Sequence, residues 1–376
     1  MAEEDVYRRL QERLDDLPVR FPRTESGVEL RLLREIFTPD EARIALALSA
    51  VPEPVETILA RLPGRDATQL ERDLDRMVKN GAIFGGRMMA RKGRKRYSRA
   101  PLVIGMYEAQ VDRITKELQE EFEQYGREGF AEALLDGPTK QMRTVPVNAR
   151  FVPDRQVGRY DDARRLVAEG PGPFATRNCV CRQGRDALGE PCRATSSRRV
   201  CLMIGRAATS SIAAGDGEPL TREATMALLD QAEREGLVLQ PANAQDPVFI
   251  CFCCGCCCGM LRAAKQFPKP AEYLQSNYRV AVDAASCTAC EACRPRCPME
   301  ALHDADGVTA VDRDRCIGCG VCVPACPSDA LRLEAKGEPV VPPRDLRALY
   351  GRLTLERFGV LGTAKRVALA LVGRRI

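Results

Sequence analysis

Between Thr38 and Ser98 the apolar residues recur with helical spacing three times, then switch to strand-like runs. Thr38-Pro39-Asp40-Glu41 is a capping box with proline at the first helical position, which predicts a helix through Ala50. Val55, Ile58, Leu59 and Leu62 share one face of a second helix. Asp66, with Gln69 three residues on, opens a third; Leu70, Leu74, Met77 and Val78 are its stripe and Gly81 ends it. Ala82 to Ala90 and Lys95 to Ser98 then read as strands around a turn at Arg91-Lys92-Gly93-Arg94. From Val103 to Leu135 a long helical pattern rich in glutamate (Glu117, Glu120, Glu121, Glu123) is expected to be a dimer or partner helix. Residues 137 to 178 carry Gly137-Pro138, Pro146, Pro153 and Gly170-Pro171-Gly172-Pro173, which predicts an extended connection. Thr221 can cap a helix with Ala224, Leu228 and Ala232 as its stripe, and Gly236 stops it. Leu237-Val238-Leu239 and Pro247-Val248-Phe249-Ile250 read as short buried strands, followed by a helix from Leu261 to Gln266. Near the end, an apolar run from Val367 to Val372 lies between Lys365-Arg366 and Arg374-Arg375.

Three helices and a hairpin are the parts of a winged helix, a form of helix-turn-helix. Charge decides what such a domain does. The wing, Arg87 to Arg99, holds seven basic residues and no acid, as a phosphate-contacting element would. The third helix opposes that use: Asp66, Glu71, Asp73 and Asp75 outnumber Arg72, Arg76 and Lys79. A docking module is therefore the preferred reading, with DNA the lesser one. The basic tail allows contact with an anionic membrane surface or an acidic partner, but a helix closing its own domain is favoured.

The 376 residues leave room for two or three domains, and 29% charged residues are ordinary for a globular chain. Met1 to Leu10 has no apolar core and nothing reaches eighteen apolar residues, so no secretory signal or transmembrane helix is expected. The chain is expected to be cytoplasmic. There, eighteen cysteines read as metal ligands rather than disulfides. The single histidine, His303, excludes a Rieske centre and the common Cys/His zinc finger.

Two runs carry the sharpest chemistry. Cys287, Cys290, Cys293 and Cys297 precede Pro298, and Cys316, Cys319, Cys322 and Cys326 precede Pro327; both read C-x2-C-x2-C-x3-C-P. Ala281-Val282-Asp283 and Ala310-Val311-Asp312 precede them, and Glu300-Ala301-Leu302 and Asp329-Ala330-Leu331 follow, all offset by 29 residues. Such an offset marks a duplicated half-module. Three thiolates two residues apart wrap one face of a cubane, and the fourth, before proline, turns to the other cluster. Two [4Fe–4S] clusters are thus expected, one on Cys287, Cys290, Cys293 and Cys326, the other on Cys316, Cys319, Cys322 and Cys297. Residues 278 to 334 resemble the bacterial two-[4Fe–4S] ferredoxin family, which implies two β-hairpins and two short helices around the clusters. Gly318 and Gly320 let backbone amides approach the second cluster's sulfurs, and Arg294 and Arg296 lie where positive charge would raise a potential unless they are merely solvated.

Ten more cysteines precede this module: Cys179, Cys181, Cys192 and Cys201, then Cys251, Cys253, Cys254, Cys256, Cys257 and Cys258. One or two further iron–sulfur clusters is the leading reading for them, with a structural zinc site or a redox-active thiol pair such as Cys253 and Cys254 as the alternatives. Six cysteines within eight residues cannot all reach one cubane. The region resembles multi-domain ferredoxin-type proteins of anaerobic bacteria and archaea, and that resemblance implies electron transfer without naming a substrate.

The expected fold is α+β: a winged-helix-like domain with a long helix (1–136), a cysteine-rich middle domain (137–277), a ferredoxin domain (278–336) and a basic tail (337–376). No phosphate loop, no G-x-G-x-x-G after a strand and no nucleophile–base pair is present, so the chain is not expected to be an enzyme on its own. An electron carrier, or the electron-transfer subunit of an oxidoreductase with a redox partner protein, is the leading reading. A redox-sensing transcriptional regulator and an oxidoreductase acting at the middle cysteines are the alternatives.

Overall fold

Val6, Tyr7, Leu10 and Leu14 recur three and four residues apart among charged neighbours, and all four are buried along helix α1 (Glu3–Asp15). The second helix, α2 (Val28–Ile36), is held by a buried carboxylate: Glu29 accepts from Arg8 at 2.9 Å and from the hydroxyl of Thr24. Neither helix was foreseen. The computed structural model describes residues 3–147, 158–371 and 374–376; Pro153 of the expected connection and Val372 of the tail run lie outside them. It divides the chain into two units, one of Met1–Pro138, Gln183–Glu190 and Tyr350–Ile376, the other of Thr139–Arg182 and Pro191–Leu349. The cysteine-rich and ferredoxin segments, expected as separate domains, share the second unit.

In the first unit the capping box closes as written. Thr38 Oγ1 accepts from Glu41 N at 3.3 Å and Glu41 Oε2 accepts from Thr38 N at 3.0 Å, starting α3 (Pro39–Ala47). Such a cap is worth about 1 kcal/mol. Helix α4 (Val55–Leu59) is a turn shorter than its apolar face suggests, and α5 (Ala67–Lys79) starts where Asp66 Oδ1 accepts from Gln69 N at 2.8 Å. Strands β1 (Ile83–Arg91) and β2 (Arg94–Arg99) pair antiparallel across Lys92-Gly93, both at positive φ, as a tight hairpin requires. Ile58, Leu70, Leu74, Met77 and Tyr97 form the core beneath them.

The long helix expected over 103–135 is corrected. Val103, Ile104 and Gly105 have non-helical dihedrals, and the helix proper starts only at Thr115, whose hydroxyl accepts from Leu118 N at 3.1 Å. It comes in two pieces, α6 (Lys116–Tyr125) and α7 (Ala131–Leu135), because Gly129 sits at φ 135° between them. Leu118, Tyr125 and Phe130 are buried, Tyr125 stacks on Phe130 at 4.9 Å, and Arg31 of α2 pairs with Glu121 at 3.0 Å. Within the chain, then, this face already has partners.

The second unit begins with α8 (Gly158–Asp161) and α9 (Ala163–Glu169), so the expected extended connection contains helix. A five-stranded antiparallel sheet follows, built from β3 (Phe174–Asn178), β4 (Arg199–Ile204), β5 (Glu218–Leu220), β6 (Val238–Pro241) and β7 (Phe249–Cys253) in the order β5-β3-β4-β7-β6. Between strands lie α10 (Val180–Ala187), α11 (Arg206–Ala214) and α12 (Arg222–Glu235). Helix α12 is capped by Thr221 and stopped by Gly236 at φ 70°, as expected. After the sheet come α13 (Gly259–Lys265) and α14 (Pro270–Tyr273), then β8 (Tyr278–Val282), β9 (Leu302–Ala305), β10 (Val308–Val311) and β11 (Leu331–Ala335). The pair β9–β10 is a hairpin, whereas β8–β11 joins the two ends of the ferredoxin segment; its short helices are single turns at Arg294–Arg296 and Val323–Ala325.

A buried ion pair ties this unit together. Arg143, 2% exposed, donates to Asp161 Oδ1 at 3.2 Å and to the carbonyls of Tyr160, Ala242 and Ala244, while Asn277 donates to Asp161 Oδ2 at 2.7 Å. The Arg143 guanidinium thus links the segment before α8 to α8 itself and to the chain after β6, and Asp161 carries the link on to Asn277, just before β8.

The last helix, α15 (Leu346–Leu371), is interrupted by Gly359 at φ 66°. In the first unit Arg357 pairs with Asp15 at 3.8 Å, Arg366 pairs with Asp16 at 3.6 Å, and Arg375 donates to Leu46 O at 2.7 Å. Basic residues of α15 and of the chain after it thus make contacts within the first unit. No helix among the described residues is long and apolar enough to cross a membrane.

Candidate metal centres

The sequence repeat is visible in the backbone. Ala289 and Gly318, Glu291 and Gly320, and Glu300 and Asp329 are three pairs at the same 29-residue offset, and all six sit in the left-handed region. This conformation turns each cysteine loop back on itself so that its sulfurs converge. Cys287, Cys290 and Cys293 line one pocket, and Cys326 from the second run joins them, with Thr309, Ser328 and Leu331 completing the wall. Thr309 N donates to Cys287 Sγ at 3.5 Å and holds that thiol below its ordinary pKa. Ser328 Oγ lies 3.6 Å from Cys326 Sγ and Thr309 Oγ1 lies 3.9 Å from Cys293 Sγ.

The other four candidate ligands, Cys316, Cys319, Cys322 and Cys297, differ in environment. The first three are buried, and burial pushes the thiols of Cys319 and Cys322 well up. Ala301 N donates to Cys297 Sγ at 3.3 Å. Bare thiols so placed resist ionisation, and a bound metal would stabilise thiolates there. Cys290, by contrast, is exposed. Of the two arginines inside the first run, between Cys293 and Cys297, Arg294 pairs with the exposed Glu291, and Arg296 Nη2 donates at 3.0 Å to the carbonyls of Glu233 and Arg234, capping α12. Arg296 is thus a helix cap rather than a solvated charge.

The ten middle cysteines do not sort as their spacing suggested. Cys192 leaves its sequence neighbours and joins Cys254, Cys256 and Cys257, all four sulfurs lying within 4.8 Å of one another. The remaining six gather along the sheet. Cys201 of β4 is the register partner of Cys251 of β7, Cys253 follows on the same face, and Cys258 caps α13 beside them. Cys179 and Cys181 complete the group from the end of β3 and the first turn of α10. All ten are free thiols.

Arg182 was missed by sequence reasoning, its only signal being its place beside Cys181. Its side chain is 1% exposed, and Nη2 donates to Phe252 O at 2.9 Å. Burial works against its charge, but the sulfurs of Cys179, Cys254 and Cys192 beside it outweigh that and raise its pKa. A buried cation between two sulfur groups requires negative charge on them. Gly255 brings the cysteine loop against the ferredoxin segment: a Cβ there would stand 3.1 Å from Pro298, next to Cys297.

The wing is less available than its charge suggests. Lys95 pairs with Asp75 at 2.6 Å and Glu71 at 2.9 Å, Arg96 donates to Pro52 O, and Arg99 is buried on Leu48 O. On α5, Arg76 pairs with Glu41 and Asp73.

Residues 309–332 match the family described as 4Fe-4S binding domain. No curated protein and no solved structure matches the chain. The matched segment starts within β10, contains Cys316, Cys319, Cys322 and Cys326 and reaches into β11. This mixed α+β chain is therefore an iron–sulfur binding protein with a ferredoxin-like region toward its C-terminal side, and it carries at least one cysteine cluster built to hold metal.

Proposed function

We propose that the protein carries single electrons, alone or as the electron-transfer subunit of an oxidoreductase, with two [4Fe–4S] clusters in the ferredoxin-like region. Cys287, Cys290, Cys293 and Cys326 would hold one, and Cys316, Cys319, Cys322 and Cys297 the other. The observation that carries this reading is the pocket in which Cys326 of the second run meets three cysteines of the first, since only an exchanged fourth ligand brings them together. A bound cluster supplies a one-electron couple; the residues around it set where electrons enter and how strongly they are held. Exposed Cys290 favours an approach by the redox partner at the first site, and the amide of Thr309 favours the reduced, more negative state there. The contact of Gly255 with Pro298 offers a path from the second site to the middle cysteines, where the group of six thiols is the better host for a further cluster. The N-terminal helices and hairpin serve as a winged-helix docking module in this reading, because Lys95, Arg96 and Arg99 of the wing are already bonded internally.

Replacing Cys290 by alanine tests the assignment. Anaerobic EPR of the reduced full-length protein should lose the signature of two interacting clusters while the other cluster stays bound. Unchanged iron content and an unchanged spectrum would refute it.

A further inference from the structure

We infer that Cys192, Cys254, Cys256 and Cys257 hold a single tetrahedral metal ion of their own, with zinc the expected ion, and take no part in an iron–sulfur cluster. The spacing of the sulfurs carries the inference. Cys254 and Cys256 lie 3.5 Å apart, Cys192 and Cys254 3.6 Å, Cys256 and Cys257 3.7 Å, and Cys192 and Cys256 3.8 Å. Four thiolates at about 2.3 Å from one ion at the centre of a tetrahedron are separated by about 3.8 Å. On a cubane each thiolate binds a different iron, and the four corners stand roughly 6 Å apart. A group this tight can close on one ion, but it is too small to enclose a cubane.

The same chain supplies the contrast. Among the described residues this is the one set of three or more histidine, cysteine or carboxylate ligands that draws together within 4.8 Å. No three of the eight ferredoxin cysteines meet that limit, as ligands spread over a cubane would not. The chain path fits a structural site too. Cys254, Cys256 and Cys257 come from a single loop that turns at Gly255, and Cys192 closes the tetrahedron from 62 residues away. Such a ligand set pins the loop after β7 to the segment between α10 and β4. Charge agrees as well: four thiolates on a divalent ion carry two negative charges, and buried Arg182 sets a cation beside Cys192 and Cys254.

The site uses none of the eight cysteines proposed to hold the ferredoxin-type clusters, so the two can be tested apart. Metal analysis of anaerobically purified full-length protein should find one zinc per chain beside the cluster iron. Replacing Cys192 and Cys256 together by serine should remove that zinc and leave iron, sulfide and the EPR of the reduced clusters in place. Exchange of the native protein with Co2+ should give the visible bands of a tetrahedral tetrathiolate, absent from the double variant. Cys201→Ser, in the other middle group, should keep both zinc and cobalt signals. One tightly held iron without sulfide, lost in the double variant, would also support the single-ion site and change only the ion. Loss of a whole cluster's iron and sulfide from the double variant would overturn the inference. So would native protein that holds no metal here and whose four thiols are readily alkylated.

Discussion

Gly318→Ala and its mirror, Ala289→Gly, occupy equivalent positions of the repeat, 29 residues apart, yet should behave in opposite ways. Both residues are left-handed, at φ 67° and 53°. An L side chain there costs roughly 1–2 kcal/mol. At position 318 a new Cβ would also stand 2.0 Å from Tyr278 O and 2.7 Å from Ser276 Oγ. Tyr278 cannot yield easily, because it opens β8 and is the register partner of Ala335 in β11. Overpacking of this kind adds about 1–3 kcal/mol. Gly318→Ala should therefore cost about 2–5 kcal/mol in total, by the sum of those two terms. Ala289→Gly should relieve its strain and lose part of the gain, about 0.4–1 kcal/mol, to a freer unfolded chain. The net effect is neutral to mildly stabilising. Anaerobic thermal bleaching of the cluster absorption, with iron content before and after, reads both variants. Gly318→Ala should bleach earlier and arrive short of iron, and Ala289→Gly should match the parent or outlast it. Equal tolerance of both changes would refute the role given to the β8 wall.

Arg143→Met should destabilise the protein by about 3–5 kcal/mol, since it strands the Asp161 carboxylate in the interior. A lowered urea midpoint by circular dichroism would register it, and a shift worth under about 1 kcal/mol would show that water reaches the pair. An iron chelator added to reduced protein should act in two phases, first at the site of exposed Cys290 and later at buried Cys316, Cys319 and Cys322. A single phase would argue against distinct environments. Full-length protein should give no sequence-specific footprint on DNA, and any binding should fade as salt rises, whereas a footprint that persists at physiological salt would favour a regulator.

Local signals proved legible where one residue type decides the backbone. Thr38 with Glu41, Asp66, Thr221 and Gly236 end or begin helices where capping chemistry says they should. The cysteine loops repeat in conformation as they do in sequence, although Ala289 and Glu291 adopt without glycine what Gly318 and Gly320 adopt with it. Helix α1 went unseen because its stripe of Val6, Tyr7, Leu10 and Leu14 is diluted by charge, and the break at Gly129 because periodicity continues across it. The middle site was legible as chemistry but not as grouping. Cys192 sits eleven residues after Cys181 and nine before Cys201, yet the fold sends it to Cys254. That pairing depends on strand order in the β4–β7 sheet, a long-range choice that no local spacing encodes. Arg182 is the same kind of case: only the three-dimensional arrangement reveals a cation buried between two sets of sulfurs.

The central claim, two cubane clusters on the eight ferredoxin cysteines, is tested most directly by iron, acid-labile sulfide and reduced-state EPR on one anaerobic sample. At least eight irons per chain are expected, since two four-iron clusters require them. Sulfide should match the iron held in clusters, and the reduced spectrum should show two interacting spins. About four irons per chain with one isolated spin would contradict the account.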